Sequence, residues 1–182
     1  SRNEEQEKMV RDYLAPIIEF LQSAGVRVHQ DWTDNSPGFK FNEWEMKGVP
    51  LRLEVGPRDV ENGNVVVARR DTGDKSFLSK DEAVAQIPGL LEEIQKGLFQ
   101  QALIFQQENT HKVSTYDELK KVIKEGGFVR CGWDGTDETE ARVKEDIKAT
   151  IRCIPMSENP EGLTCVYSGK PAKHEVIYAK AY

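Results

Sequence analysis

The chain has 182 residues, of which 38% are hydrophobic and 31% are charged. Such a composition is typical of a soluble globular protein with room for one domain or two small ones, and it excludes a disordered or fibrous chain. The formal net charge of −6 argues against a protein that coats nucleic acid by bulk attraction. The cysteine count is odd, which favours a reducing compartment over a disulfide framework.

Targeting and membrane signals are not found in the sequence. No apolar run approaches the ~20 residues that a membrane-spanning helix needs, and the polar first residues do not have the pattern of a signal peptide. We therefore expect a cytoplasmic protein with no membrane partner and no DNA partner. Residues 38–80 hold more basic than acidic side chains, whereas both flanking segments are acidic. Any contact with RNA is expected in that middle segment.

The first half of the chain has the pattern of helices alternating with short strands. Apolar residues at helical spacing predict a first helix that ends near Gly25 and contains Pro16. Another helix is predicted over residues 38–47. Ser79 and Glu82 have the spacing of a capping box at the start of a further helix. Strands are predicted over residues 26–30, 51–55, 64–69 and 75–78.

The second half is predicted to contain a long helix and a smaller domain. Pro88 and Gly89 are predicted to interrupt the helix that follows the capping box, and a long helix then continues to about residue 107. Residue 108 marks the predicted boundary between two domains, residues 1–108 and residues 109–182. Further elements are predicted in the second domain: a helix after residues 114–117, a strand over 128–131, a helix over 137–148 and an edge strand over 174–179.

Residues 38–59 combine aromatic, acidic and basic side chains. Phe41 and Glu45 are four residues apart and therefore share one face of the predicted helix. Arg52 lies on the polar face of the next strand, where it can reach Glu45. Unpaired guanine offers donors to a carboxylate, acceptors to a cation and a face to a ring, so this set predicts guanine recognition in single-stranded RNA. A core phenylalanine with a surface ion pair is the alternative interpretation.

Several runs in the chain resemble one family. GFKFNEWEMKGVPLRLEVGPRD at residues 38–59 is similar to the anticodon-binding domain of prolyl-tRNA synthetase of the archaeal and eukaryotic type. Other runs match this family in order and spacing: VVVARR at 65–70, HKV at 111–113, ATIRCIP at 149–155 and AKAY at 179–182. The resemblance implies an α/β (α+β) fold. It consists of a mixed sheet of the five-stranded type with flanking helices, whose first strand is missing here, followed by a small α+β domain.

The resemblance also implies a function. The chain would be the tRNA-recognition part of an enzyme that attaches proline to its tRNA with ATP, and it would read the two guanines of the proline anticodon. No motif of a class II catalytic core is found, so this chain alone is expected to be inactive. ATP and Mg²⁺ are expected only in the parent enzyme. The implied partners are proline tRNA, the catalytic domain of the same enzyme and a second copy that dimerises through the absent core.

The resemblance assigns roles to single residues. It implies five contacts with the anticodon: Phe41 as a stacking ring, Glu45 and Arg52 on guanine edges, and Arg58 and Lys75 as further contacts. Phosphate contacts are expected from four basic residues: Lys40, Lys47, Arg69 and Arg70. Trp44 is expected in the core, on the opposite helix face.

The C-terminal domain raises the question of a metal. Many members of the family hold zinc there through cysteines, and the corresponding positions in this sequence are Asp134, Thr139, Cys165 and Ser168. One thiolate, two hydroxyls and a carboxylate make a poor zinc site, so no zinc is expected. Recruitment of Cys131, Cys153 or His174 as a replacement ligand stays open. In the family the chain ends in a tyrosine directed to the active site of the catalytic domain, a role implied here for Tyr182.

Two other classes of function remain open. The chain could be a synthetase-derived protein-interaction module without anticodon specificity, which predicts an exposed apolar stripe on the helix at residues 90–107. It could also be a small metal or thiol protein that uses its three cysteines.

Overall fold

The computed structural model describes residues 2–180. These residues form two compact units, the first ending at Gln100 and the second beginning at Gln101. Within the described residues the elements follow in the order α1 (Arg2–Ser23), α2 (Pro37–Met46), β1 (Leu51–Glu54), α3 (Pro57–Asn62), β2 (Asn64–Arg69), β3 (Lys75–Ser79), α4 (Lys80–Glu108), β4 (Thr110–Lys112), α5 (Tyr116–Glu125), β5 (Phe128–Trp133), α6 (Asp137–Ile147), β6 (Ala149–Cys153) and β7 (His174–Lys180).

The first unit is built on an antiparallel sheet with the strand order β1-β2-β3. Val65 and Val67 of β2 pack with Ile17 of α1 and Ile87 of α4 in its core. Alternate residues of a strand face opposite sides of a sheet, so the other residues of these strands form a second face, which we call the outer face. It carries Arg52, Glu54, Val66, Ala68, Lys75 and Phe77.

The helices that flank this sheet begin where the sequence predicts. Ser36 caps α2, because its hydroxyl accepts a hydrogen bond from the backbone N–H of Phe39 at 3.4 Å. The predicted capping box at the start of α4 is confirmed. The Glu82 carboxylate accepts from the backbone N–H of Ser79 at 2.8 Å, and the Ser79 hydroxyl accepts from the backbone N–H of Glu82 at 3.3 Å.

Residues 26–30 do not form the predicted strand, so within the described residues the sheet has three of the four strands that were predicted. Val28 still packs against the core, which explains the misleading alternation of apolar residues. Side chains hold this segment instead: the ring centroids of His29 and Trp44 are 4.1 Å apart, and Trp44 Nε1 donates to Asp31 Oδ2 at 2.8 Å. Trp44 is therefore a half-buried anchor and not the core residue that the sequence predicts.

The long helix α4 has no break, so the predicted interruption at Pro88 and Gly89 is wrong. Proline removes one backbone hydrogen bond from a helix. Ile87 and Ile94 on either side of Pro88 are buried, and their packing stabilises the helix through this position. The two units divide within α4, whereas the helix ends at Glu108, the predicted domain boundary. Among residues 2–180, no helix has the length and apolar character needed to cross a membrane.

The second unit contains a sheet with the strand order β4-β5-β7-β6, in which β4 and β5 are parallel and the other pairs are antiparallel. Val176 and Tyr178 of β7 are buried with Leu119 of α5 and Val143 of α6. Because β7 pairs with a strand on each side, the predicted edge strand is in fact an inner strand. The two sheets and their helices confirm the predicted α/β (α+β) fold.

Candidate functional site

Four of the five predicted anticodon contacts form one cluster in the first unit. Phe41 and Glu45 project from α2, and Arg52 and Lys75 project from the outer face of the sheet. Arg52 Nη1 donates to Glu45 Oε1 at 2.5 Å, and its Cζ lies 4.1 Å from the centroid of the Phe41 ring. Lys75 Nζ lies 5.3 Å from the same centroid. The helix and the sheet thus bring a ring, an acid and two bases to one surface.

Glu54 completes this group, which we call the Phe41 cluster: Phe41, Glu45, Arg52, Glu54 and Lys75. Glu54 Oε1 accepts a hydrogen bond from Arg52 Nε at 3.0 Å, and its Oε2 accepts one from Lys75 Nζ at 2.9 Å. Glu54 is a site residue that the sequence did not predict. Its place two residues after Arg52 in the same strand was the available signal, since such residues share one face of a sheet.

The register of the strands explains how Lys75 reaches Arg52. Arg52 lies opposite Ala68, and Ala68 lies opposite Lys75. Side chains in directly opposed positions stand on the same face. Because Ala68 carries only a methyl group, it does not keep the two long cationic side chains from meeting at Glu54.

The Phe41 cluster is electrically balanced, with two carboxylates and two cations, but it is accessible to a ligand. The side chain of Glu45 is 48% exposed and that of Lys75 is 45% exposed. Glu45 binds Arg52 through Oε1, and no other group among residues 2–180 donates a hydrogen bond to its Oε2. The cluster can therefore offer an acceptor oxygen, cationic donors and an aromatic ring to one incoming molecule.

Arg58, the fifth predicted contact, is not joined to this cluster. It is exposed in the first turn of α3, and its side chain makes no hydrogen bond or ion pair with the described part of the chain. The predicted phosphate contact Arg70 is likewise exposed and has no side-chain partner within residues 2–180. Both guanidinium groups are free to meet a phosphate.

Arg69 has a different role from the one predicted. In β2 it alternates with Ala68 and faces the core side of the sheet, where its guanidinium binds Asp71 at 2.9 Å and Glu93 of α4 at 2.8 Å. These partners raise the pKa of Arg69 above its ordinary value. We therefore interpret Arg69 as a structural tie between the sheet and α4, and this corrects its prediction as a phosphate contact.

Lys40 and Lys47, the remaining predicted phosphate contacts, are both paired with acids. Lys40 Nζ lies 3.7 Å from Asp31 Oδ1, and Lys47 Nζ lies 2.7 Å from Glu43 Oε1. The pair of Lys47 is exposed, and exposed pairs are weak and exchange readily, whereas the pair of Lys40 is half-buried. Contact of either lysine with phosphate stays a prediction.

In the second unit, three of the four positions predicted as remnants of a zinc site form a hydrogen-bonded cluster. Asp134 Oδ2 accepts from Thr139 Oγ1 at 2.9 Å and from Ser168 Oγ at 2.6 Å, and Oδ1 accepts from Thr136 Oγ1 at 2.8 Å. Desolvation opposes the charge, but bonds from these three hydroxyls outweigh it and lower the pKa of Asp134 to about 2. One carboxylate thus ties together the segments that carry these residues.

The other candidate ligands of the second unit include two buried thiols. Cys165, the fourth position, is buried. Burial, with smaller contributions from Cys165 and Glu175, raises the pKa of Cys131 to about 12. His174 lies 3.2 Å from Glu158. Among residues 2–180 no group of three or more His, Cys, Asp or Glu side chains is placed to hold a metal ion, and the expectation that zinc does not bind stays a prediction.

The predicted role of Tyr182 lies outside the described residues.

Comparison with known proteins adds family evidence for both units. The family model described as "Anticodon binding domain" matches residues 2–90, which include the whole Phe41 cluster. The model described as "Prolyl-tRNA synthetase, C-terminal" matches residues 116–182.

Curated relatives named proline–tRNA ligase match most or all of the chain. This chain is 44% identical over 182 residues to the proline–tRNA ligase of Porphyromonas gingivalis, and the match covers 100% of this chain and 37% of the relative. This chain is 51% identical over 176 residues to the proline–tRNA ligase of Chloroherpeton thalassium, and the match covers 91% of this chain and 36% of the relative. The chain thus spans about a third of the length of the curated relatives it matches. With an anticodon-binding domain followed by a synthetase-type C-terminal domain, the chain belongs to the prolyl-tRNA synthetase family.

Proposed function

We propose that the Phe41 cluster reads the guanines of the proline anticodon, so that a longer enzyme attaches proline to its tRNA with ATP. The observation that carries this proposal is the meeting of Phe41, Glu45 and Arg52 on one accessible surface of a domain that matches the anticodon-binding family. Proline specificity is supported by the name that the relatives carry, proline–tRNA ligase.

The chemistry of the cluster suits guanine better than other bases. Guanine presents adjacent donors on its Watson–Crick edge, which a carboxylate such as Glu45 accepts together, and acceptors at O6 and N7 for Arg52 or Lys75. Adenine presents an acceptor where guanine presents a donor, so it would bring a lone pair towards Glu45. The ring of Phe41 and the guanidinium of Arg52 both offer planar surfaces on which a base can stack.

The rest of the enzyme's work is assigned to parts beyond this chain. ATP, Mg²⁺ and the dimer contact belong in this proposal to the remaining two thirds of the relatives' length, and the protein acts in the cytoplasm. Nothing in the Phe41 cluster would activate proline, so the chain alone would bind tRNA without charging it. The second unit would work without zinc, since the hydroxyls around Asp134 do not provide zinc ligands.

The interaction-module alternative has one observation in its favour. On α4, Phe99 and Phe105 are 64% and 66% exposed, with Leu98 and Ile104 at 39% and 44%, but Phe99 and Phe105 lie about 120° apart around the helix and do not form the single stripe that this alternative predicts. Exposed apolar side chains of this size mark a surface that binds another molecule, and the remainder of a full-length synthetase would equally cover them. Anticodon preference is therefore the property that separates the two functions.

The test is binding of this chain to a proline anticodon stem-loop at a stated salt concentration, beside loops in which each guanine is replaced. Wild-type chain is expected to prefer the guanine loop. Glu45→Ala is expected to lose about 1–3 kcal/mol of that preference.

Glu43→Ala is the matched control, because Glu43 lies on the same helix and also pairs with a cation, Lys47, but is not part of the cluster. It should keep the preference. Equal binding of all loops by the wild-type chain would reject anticodon reading and favour the interaction module. An unchanged guanine preference in Glu45→Ala would reject the role given to Glu45.

A further inference from the structure

Phe77 on β3 is an exposed ring to which no role has been given. It is 71% exposed, more than any other aromatic side chain among the described residues. Its neighbour Leu78 packs against the core of the first unit, whereas Phe77 points to the outer face of the sheet. The ring therefore contributes little to the core.

The strand register places Phe77 beside the Phe41 cluster. Glu54, Val66 and Phe77 lie directly opposite one another across the three strands, in the row next to Arg52, Ala68 and Lys75. Phe77 and Lys75 are two residues apart on one face, a distance of about 7 Å. Successive nucleotides of a stacked strand are about 3.4 Å apart, so Phe77 lies about two nucleotide rises from Lys75.

We propose that Phe77 is a second stacking platform, which binds an unpaired base adjacent to the guanine held at the Phe41 cluster. The inference rests on the proposed function. An RNA base is the occupant that fits, because the ring shares its face with the side chain of Lys75, which is 45% exposed and whose ammonium group can meet a phosphate between two bound bases. Single-stranded nucleic acids are commonly bound in this way, by alternating aromatic rings and cations.

The two rings would then contribute differently. Stacking accepts any base, since every base has a planar face, whereas the hydrogen bonds of Glu45 and Arg52 depend on base identity. Phe77 would add affinity without adding discrimination. If Phe77 has only a structural role, replacing it with leucine should not change RNA binding, because leucine is also apolar and can occupy an exposed strand position.

The experiment measures binding of the whole chain to the proline anticodon stem-loop and to loops with a guanine replaced, using Phe77→Leu and Phe77→Tyr. Phe77→Leu is expected to weaken binding of every loop about tenfold and to leave the ratio between loops unchanged. Phe77→Tyr keeps a ring and is expected to bind as the wild type does. Phe99→Leu is the matched control, since Phe99 is a similarly exposed ring on α4, and it should change nothing.

A second measurement locates the base. Loops that carry 2-aminopurine at one position outside the guanines should include one whose fluorescence is quenched by the wild-type chain and not by Phe77→Leu. Normal binding by Phe77→Leu, with the guanine preference still dependent on Glu45, would overturn this inference and leave the proposed function standing. Absence of any guanine preference in the wild-type chain would overturn both.

Discussion

Arg52 takes part in three interactions at once. Its guanidinium group binds Glu45 and Glu54 and lies over the ring of Phe41. A lysine carries the same charge but presents a point charge instead of a planar fork, so it cannot make these contacts together. The arrangement of the Phe41 cluster therefore depends on the guanidinium of a single residue.

A prediction at the scale of one residue concerns Asp134. In Asp134→Asn the side chain no longer accepts three hydroxyl hydrogen bonds as a carboxylate does, and we expect the free energy of unfolding at pH 7 to fall by about 1–2 kcal/mol. Urea unfolding of the whole chain between pH 7 and pH 2.5 measures this difference.

The sign of the pH dependence follows from the lowered pKa. A carboxyl group whose pKa is lowered by folding stabilises the protein above its ordinary pKa, near 4, and loses that contribution as the pH falls towards its folded value of about 2. The gap between wild type and Asp134→Asn should shrink over that window. Asp137→Asn, at an exposed position in α6, is the control and should cost less than 0.5 kcal/mol at pH 7. A gap that does not change with pH would contradict the role given to the Asp134 carboxylate.

At the scale of elements, Gly132 in β5 lies against the turn that contains Ser168. A Cβ atom at this position would overlap the carbonyl oxygen of Thr164 and lie 2.9 Å from the Cβ of Ala172. Gly132→Ala is therefore expected to lower the free energy of unfolding by about 3 kcal/mol, since backbone atoms would have to move. Urea unfolding at pH 7 measures the change.

Gly97→Ala provides the comparison for this substitution. Gly97 lies within α4, and a Cβ atom there would meet no atom within 4 Å. Alanine favours a helix over glycine by about 0.5–1 kcal/mol, so this variant should be as stable as the wild type or more stable. Equal stability of Gly132→Ala and the wild type would show that the turn is not packed against β5.

Local patterns predicted much of the architecture and most of the candidate site. Helical spacing placed Phe41 and Glu45 together, and strand alternation directed Arg52 towards them, because both patterns depend only on backbone geometry. The capping box at α4 was predictable for the same reason. These features are encoded within a few neighbouring residues.

Features that depend on distant partners were not predictable in this way. Residues 26–30 alternate because Val26 and Val28 are partly buried against the core, yet no strand of the described part of the chain lies alongside them to pair with. The strand β7 lies between two others that come earlier in the chain, and its own sequence does not reveal this. Glu54 was not predicted as a site residue because it joins Arg52 to Lys75, and only the strand register brings Lys75 beside it.

At the scale of the whole molecule, a net charge of −6 predicts a weak dependence of RNA binding on salt. Five basic side chains are offered to phosphate under the two proposals, Lys40, Lys47, Arg58, Arg70 and Lys75, and each contributes about −0.7 to the slope of log K against log salt for a single strand. We expect a slope of about −3.5 for the anticodon stem-loop, measured between 50 and 200 mM salt.

Arg70→Gln tests the contribution of one contact. It should reduce the magnitude of the slope by about 0.7 and weaken binding of all loops alike, because phosphate contacts carry no base information. A wild-type slope steeper than about −5 would mean that bulk attraction dominates, in conflict with the acidic composition.

The ion pair between Arg52 and Glu45 has a consequence for selectivity under the proposed function. Before RNA arrives, Arg52 Nη1 and Glu45 Oε1 are already hydrogen-bonded to each other, so an entering base that uses either atom has to displace this bond. A base that forms weaker hydrogen bonds with these two residues does not replace the ion pair, because the paired state has the lower free energy. A wrong tRNA would then be excluded without any steric clash, and only a base that bonds well to both residues would open the pair.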